Sequence, residues 1–317
     1  KSTKAVPVFG PLGSAFNNVN VTQSAIEGAA QIATSRYGFN VGSFQIPDGT
    51  KLSVRDALLK LDWNINDSHR ASLRYSKINQ SEPFYNGFSA TGVSLSSNWF
   101  VQGKRVESTV AQWFADWTDT FSTEVKLSKR DFVSIPVNNA RLPAIGLQFT
   151  GALPTNGVGT STANRFLNFG TENSRHFNAL DTETYDSYVG GNLILKDHEV
   201  KFGWDNSRNR IFNAFLQNTL GNYTFACVNS SATYTYSFGP ITCGTATAAA
   251  VEAAVLENFR IGRPLNYQVQ LPAVGGVLES GAGKWTLQNT GFFVQDTWTV
   301  NNNLSLVAGV RLDRPAV

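Results

Sequence analysis

Two kinds of connection alternate along this chain, and that rhythm restricts its fold more than any other feature. Stretches in which apolar and polar residues alternate come in pairs joined by very short turns. Successive pairs are separated by long segments rich in Gly, Asn, Ser, Thr and Pro. The pairs span 56–79, turning at Asn66-Asp67-Ser68; 106–133, at Thr120-Phe121-Ser122-Thr123; 184–213, at Lys196-Asp197; and 284–313, at Asn301-Asn302-Asn303. Turn residues of these types favour tight reversals, and Asn and Asp tolerate left-handed backbone angles.

The stretch LLKLDWNINDSHRASLRYS (58–76) shows the pattern most plainly. Leu59, Leu61, Trp63 and Ile65 alternate with Lys60, Asp62 and Asn64; beyond the turn, Ala71, Leu73 and Tyr75 alternate with Arg70, Ser72 and Arg74. Successive side chains of a strand point to opposite faces, so each strand carries one apolar and one charged face. Ala111, Trp113, Ala115 and Trp117, then Val200, Phe202 and Trp204, then Leu304, Leu306, Ala308, Val310 and Leu312 repeat it, with Phe114 and Val307 as exceptions.

The long connections, 80–105, 134–183 and 214–283, are too long for an ordinary compact soluble domain. Short turns at one end of the strands and long loops at the other are the pattern of an outer-membrane barrel. There the apolar face meets lipid and the charges line a wet interior. The fold class expected is all-β: a partial transmembrane antiparallel β-barrel of about eight strands in meander order, with periplasmic turns and long extracellular loops. The chain then divides into a loop with a short helix (1–55), two hairpins (56–133), a long loop (134–183), a hairpin (184–213), a second long loop (214–283) and a last hairpin (284–317).

Tryptophan placement supports this. Trp63, Trp117 and Trp298 each stand three residues before a short turn, preceded closely by Asp62, Asp116 and Asp296. Indole is most stable at a membrane interface, so the three are expected to form an aromatic girdle. The third hairpin has Leu193 at the matching place.

Composition is consistent with a barrel. Of 317 residues 42% are hydrophobic, and the longest apolar run, 245–256, contains Glu252 and is too short for a membrane helix. The net charge of +3 is spread without a basic stripe, which argues against nucleic acid as a partner. Methionine is absent and no signal peptide precedes the first strands, so residue 1 reads as the start of a segment. Cys227 and Cys243 enclose a loop without a nearby His cluster, the spacing of a disulfide in an oxidising compartment rather than of a zinc site. Helices are expected over Ser24–Arg36, with a Ser24/Glu27 capping box, and over 246–259, both decorating loops.

KLDWNINDSHRASLRYS (60–76) and GFFVQDTWTVNNNLSLVAGVRLD (291–313) resemble barrel strands of TonB-dependent outer-membrane receptors, especially the Oar-like branch. DHEVKFGWD (197–205) resembles them more weakly, and the early stretch ATSRYGFNVGSF (33–44), ahead of the first hairpin, resembles the Oar-like pattern. The resemblance implies a barrel of about 22 strands filled by a plug. Plug, TonB box and an aromatic-ended last strand are not within this sequence. The TonB complex would therefore be engaged through a plug domain outside this chain. The other implied partners are outer-membrane lipid and an unidentified solute or protein at the extracellular loops.

No catalytic constellation, metal site or cofactor is expected. His176 with Asp181, Glu183 and Asp186 is the nearest approach to a hydrolytic or calcium site, and lacks the spacing of either. GAGKW (281–285) lacks the first glycine of a phosphate loop. The candidates for function are the charges of the polar face: Lys60, Asp62, Arg70, Arg74, Lys201, Asp205, Arg311 and Asp313. In a plugged barrel these would contact the plug or line the translocation path. Tyr223, Phe225, Tyr234, Tyr236 and Phe238 are candidates for ligand contact, exposed aromatics being frequent at binding surfaces; self-packing of a disulfide-pinned loop is the other reading. A passive porin, a surface adhesin and a soluble β-sandwich also remain compatible with the sequence.

Overall fold

The structure is a computed structural model and describes residues 8–47, 50–160, 162–227 and 231–317. The chain opens with a short parallel pair, β1 (Phe9–Pro11) and β2 (Asn17–Val19), and helix α1 (Gln23–Ile32). The first hairpin is β3 (Ser53–Asn66) with β4 (His69–Phe84), followed by β5 (Gly92–Ser94). The second is β6 (Phe100–Thr118) with β7 (Phe121–Asn138), followed by β8 (Ala144–Phe149) and β9 (Arg165–Phe169). The third is β10 (Phe177–Leu195) with β11 (His198–Leu216). Next come β12 (Asn222–Ala226), β13 (Thr233–Tyr236), β14 (Gly239–Thr242), α2 (Ala248–Arg260) and β15 (Asn266–Gln268). The last hairpin is β16 (Gly283–Asn301) with β17 (Leu304–Ala316).

The four hairpins join into one eight-stranded sheet, β17-β16-β11-β10-β7-β6-β4-β3, every neighbour antiparallel. The sheet is open, with β3 and β17 at its edges. The strands extend beyond the alternating segments, so the connections shrink to 85–99, 139–176 and 217–282. The second turn falls at Asp119-Thr120, not at 120–123, because a bulge between Asp116 and Thr118 absorbs a residue.

Register aligns the alternation of all eight strands. One cross-strand row reads Trp63, Ala71, Trp113, Val125, Val189, Trp204, Phe292, Leu312. The next, on the opposite face, reads Asp62, Ser72, Gln112, Lys126, Tyr188, Asp205, Gly291, Asp313. Among the described residues no protein covers the apolar face: Leu61 is 58% exposed, Trp63 65% and Val310 72%. A soluble sheet would bury these side chains, and an apolar surface of this extent marks contact with another phase or partner. No helix among the described residues is long and apolar enough to cross a membrane.

The buried core lies elsewhere, in a cap built from the N-terminal segment and the long connections. Its mixed five-stranded sheet runs β15-β12-β8-β9-β5. Ile145, Leu147, Phe149, Leu167, Phe169 and Phe225 on one face of this sheet pack against Ala25, Ile26 and Ala29 of α1 and Val251, Val255 and Phe259 of α2. The Phe259 ring meets Phe169 and Phe225 edge-on at 5.5 and 5.2 Å. Gly28 lets the helices approach: a Cβ there would stand 2.7 Å from Leu256 Cδ1. The helices are therefore core elements rather than decorations. The cap of α1 is Thr22, whose side chain accepts from the Ala25 N–H, not Ser24. Both Thr22 and Ser24 donate instead to the Glu252 carboxylate of α2.

Candidate functional site

The polar face of the large sheet is the first candidate, and register places all eight expected charges on it. Period-2 geometry does this directly: Lys60 pairs with Arg74, Asp62 shares a row with Asp205 and Asp313, and Arg70 shares one with Arg311. Arg311 of β17 reaches Asp205 of β11 at 2.8 Å and Asp313 at 2.7 Å. Gly291 makes that span possible, since a Cβ on it would fall 2.2 Å from the Arg311 guanidinium. The sequence gives no sign that this glycine is a passage for an arginine two strands from its partner. Lys60 pairs with Asp62 at 2.8 Å, Lys201 with Glu199 at 3.1 Å, and the Arg70 guanidinium lies 5.5 Å from the Phe114 ring. Tyr188 and Phe293 stack at 6.2 Å on the same face above Gly190 and Gly203. Exposed pairs contribute little to stability, so this arrangement organises a wet surface more than it holds the fold.

The apolar face carries the three expected tryptophans, each exposed near a short turn. His69 packs 5.7 Å from Trp113 and 5.3 Å from Trp117, and His198 stacks on Trp298 at 5.5 Å. The aspartates differ in placement. Asp62 and Asp116 lie one residue before their Trp and so on the opposite face. Asp296 lies two before, shares the face of Trp298, and binds His198 Nδ1 at 2.7 Å. At the other end of the apolar band is a charged belt that alternation alone does not reveal. Lys129 contacts Asp131 at 3.3 Å and Glu183 at 3.1 Å, and Arg210 reaches Glu183 at 3.2 Å.

One expectation for the loops is corrected. Phe225 and Tyr236 are buried in the cap core, and Tyr223 and Tyr234 pack against it; of the five aromatics only Phe238 is exposed. They pack because the connection folds on itself: Tyr223 stacks on Tyr267 at 4.5 Å, and the Arg263 guanidinium lies 5.2 and 5.1 Å from the rings of Tyr234 and Tyr236. Cys227 and Cys243 are disulfide-bonded, with Cα atoms 5.6 Å apart, inside the same core.

His176 does not join the acids downstream of it. Asp181 and Glu183 share the apolar side's belt, while Asp186 turns to the polar face and accepts from Ser128 and Ser207. The imidazole instead ties two connections together. Its Nδ1 accepts the Leu220 N–H at 3.1 Å and its Nε2 faces the Thr171 carbonyl at 3.1 Å, which fixes the neutral tautomer with the proton on Nε2. Burial holds its pKa below the ordinary histidine value. Among the described residues no group of His, Cys, Asp and Glu is arranged to hold a metal ion.

A family model described as an outer membrane beta barrel domain matches residues 3–316. Among solved structures, the outer membrane transporter YddB from Escherichia coli superposes with a TM-score of 0.52 at 12% identity, covering 84% of this chain and 28% of that one. The copper transporter OprC gives 0.44 at 12% identity over 84% and 29% of the two chains. A mutant of the ferric enterobactin receptor PfeA from Pseudomonas aeruginosa gives 0.39 at 12% identity over 89% and 32%. The chain thus spans less than a third of the length of these neighbours, and it shares its fold with the first of them. No protein of curated function matches the sequence.

Proposed function

Since the chain belongs to the outer membrane beta-barrel domain family, a family of the bacterial outer membrane rather than of enzymes, we propose that it forms part of the barrel of a TonB-dependent receptor of the Oar-like branch. The whole barrel has about 22 strands and surrounds a plug. The apolar face meets lipid, with Trp63, Trp117 and Trp298 at the periplasmic interface and the Lys129–Glu183–Arg210 belt at the outer one. The polar face meets the plug and the path of a large or scarce solute. No covalent chemistry is involved: binding outside opens a path with energy delivered by the TonB complex through the plug.

The observation that carries this reading is the open two-faced sheet. Eight strands leave β3 and β17 without partners, and unpaired edges do not persist in lipid, so the barrel needs further strands to close. A large barrel with an inner face crowded by Arg70, Arg311, Tyr188 and Phe293 suits a plugged receptor better than a clear pore. The test is planar-bilayer conductance of the full-length gene product, together with cross-linking to the TonB complex in native membranes. A receptor shows no steady current and cross-links. Steady ohmic current with no partner makes it a porin. A closed barrel that never cross-links makes it an adhesin or structural barrel.

A further inference from the structure

The cap sheet has a second face, opposite the helices, and its chemistry differs from everything else in the molecule. Period-2 alternation that sends Tyr223, Phe225, Leu147 and Leu167 into the core sends Asn222, Thr224, Gly146, Phe166 and Asn168 to this side. Here they line a cavity of about 360 Å3, completed by Asn86, Asn98, Glu172 and Asn173. Asn86 follows β4, Asn98 precedes β6, and Glu172 and Asn173 precede β10. The cavity therefore sits at the ends of the large sheet's strands remote from the short turns, beside Phe84 and Phe100, which stack at 5.1 Å.

Its lining is rich in neutral amides, and their hydrogen-bonding capacity is partly unspent. Asn98 donates to the Gly170 carbonyl and Asn173 to Asn218 Oδ1, so those two hold the walls. The side chains of Asn86, Asn168, Asn222 and Thr224 make no hydrogen bond among the described residues, although an amide brings two donors and an acceptor. Glycines keep the space around Asn168 open. A Cβ at Gly146 would stand 3.4 Å from Asn168 Oδ1, and one at Gly87 3.5 Å from its Nδ2 and 2.7 Å from Ser94 Cβ. The one ionisable lining group, Glu172, has its carboxylate 4.0 Å from Arg175 Nε. Phe166 presents a half-buried ring on the same face.

We propose that this cavity is a binding site for a neutral polyhydroxylated ligand, an oligosaccharide segment. Hydroxyl groups both donate and accept, as amides do, so neighbouring hydroxyls of a sugar satisfy Asn86, Asn168 and Asn222 without leaving a partner unpaired. The apolar face of a pyranose covers the Phe166 ring, giving the mixture of apolar platform and few directed polar groups that orients small ligands. The absence of a cation in the lining gives an anion nothing to pair with, and one carboxylate already facing Arg175 is a poor site for a free cation. The proposal deepens the receptor reading, since it names the class of solute, and it rests on that reading only for transport; binding stands without it.

The experiment is isothermal titration of the full-length protein in detergent with maltoheptaose and cellohexaose, and with a pentagalacturonate as charged control. At least one neutral oligomer is expected to bind, the uronate at least tenfold more weakly. Asn168→Ala and Phe166→Ala should each weaken binding by roughly tenfold, the effect of one or two lost contacts. Thr233→Ala, in the β13–β14 hairpin, none of whose residues lines the cavity, should leave it unchanged. Asn168→Gln, together with wild-type protease resistance of the cap, separates lost contacts from lost fold: partial binding by a resistant Gln variant supports the site. No binding of either neutral oligomer, equal binding of the uronate, or binding indifferent to Asn168 and Phe166 overturns the proposal. A protein that stays closed and cross-links to the TonB complex yet fails these titrations loses only the ligand assignment.

Discussion

A single arginine placed on either side of one strand separates a lipid-facing surface from a wet one. Leu127 and Ser128 are neighbours in β7 and point to opposite faces, in rows with Ala111 and Val110 respectively. Leu127 lies six residues beyond Phe121, where the strand leaves its short turn. At about 3.3 Å per residue this is about 20 Å along the strand. A tilt near 45° turns it into about 14 Å of depth, close to the middle of an apolar band about 25 Å tall. Arginine at that depth costs about 2–4 kcal/mol, a factor of about 30 to 700 in the folding equilibrium. At Ser128 the same guanidinium would stand beside the Asp186 carboxylate, which now accepts from Ser128 Oγ at 3.0 Å. The assay is urea unfolding of the full-length protein in lipid vesicles. Leu127→Arg should lose about 2–4 kcal/mol and Ser128→Arg within about 0.5 kcal/mol of nothing, as for a solvated surface substitution. Equal losses, or a silent Leu127→Arg, would refute the assignment of faces.

Three further outcomes concern the cap. Phe259→Ala removes a ring that is 2% exposed and should destabilise the cap by about 3–5 kcal/mol, read as faster proteolysis of 217–282 while the strands stay protected. Reduction of Cys227–Cys243 releases a loop with a sequence separation of 16. It should cost the cap about 3 kcal/mol, and unchanged hydrogen exchange in β12–β14 would contradict this. The depressed pKa of His176 means that folding favours the neutral ring. The unfolded state binds the extra proton first as pH falls, so the stabilisation is complete above the ordinary histidine value and is lost as pH drops through the folded one. Protease sensitivity at the 171–176 and 217–220 junction should therefore rise as pH falls below the ordinary histidine value of about 6.5, and a flat profile would count against the buried neutral imidazole.

The barrel strands are legible in the sequence because lipid on one face and water on the other impose a period of two, and eight strands repeat it. That periodicity by itself places Asp62, Asp205 and Asp313 on the face opposite the apolar residues of their strands. It also understates the strands, because β4, β7 and β10 continue beyond the alternating segments, through 80–84, 134–138 and 177–183, where alternation has no lipid to answer to. The cap is nearly invisible for a different reason. Its sheet pairs short strands from three separate connections, and β8 joins β12 in parallel through residues 78 apart in the chain, with α2 packed against both. Tyr223, Phe225 and Tyr236 look like exposed loop aromatics until those long-range pairings bring Tyr267 against Tyr223 and Phe259 against Phe225 and close the core around them. Gly291 and Gly146 carry no local signal at all, since their use depends on an arginine or an asparagine from another strand.

Which face of the large sheet meets lipid decides whether these strands belong to a membrane barrel. Nitroxide labels placed one at a time at 124–128 in the full-length protein in vesicles measure it directly, through relaxation by oxygen and by a water-soluble nickel chelate. Labels at Val125 and Leu127 should be relaxed by oxygen and shielded from nickel, with the opposite at Glu124, Lys126 and Ser128. Accessibility that does not alternate, or alternates in the reverse sense, would contradict the barrel reading.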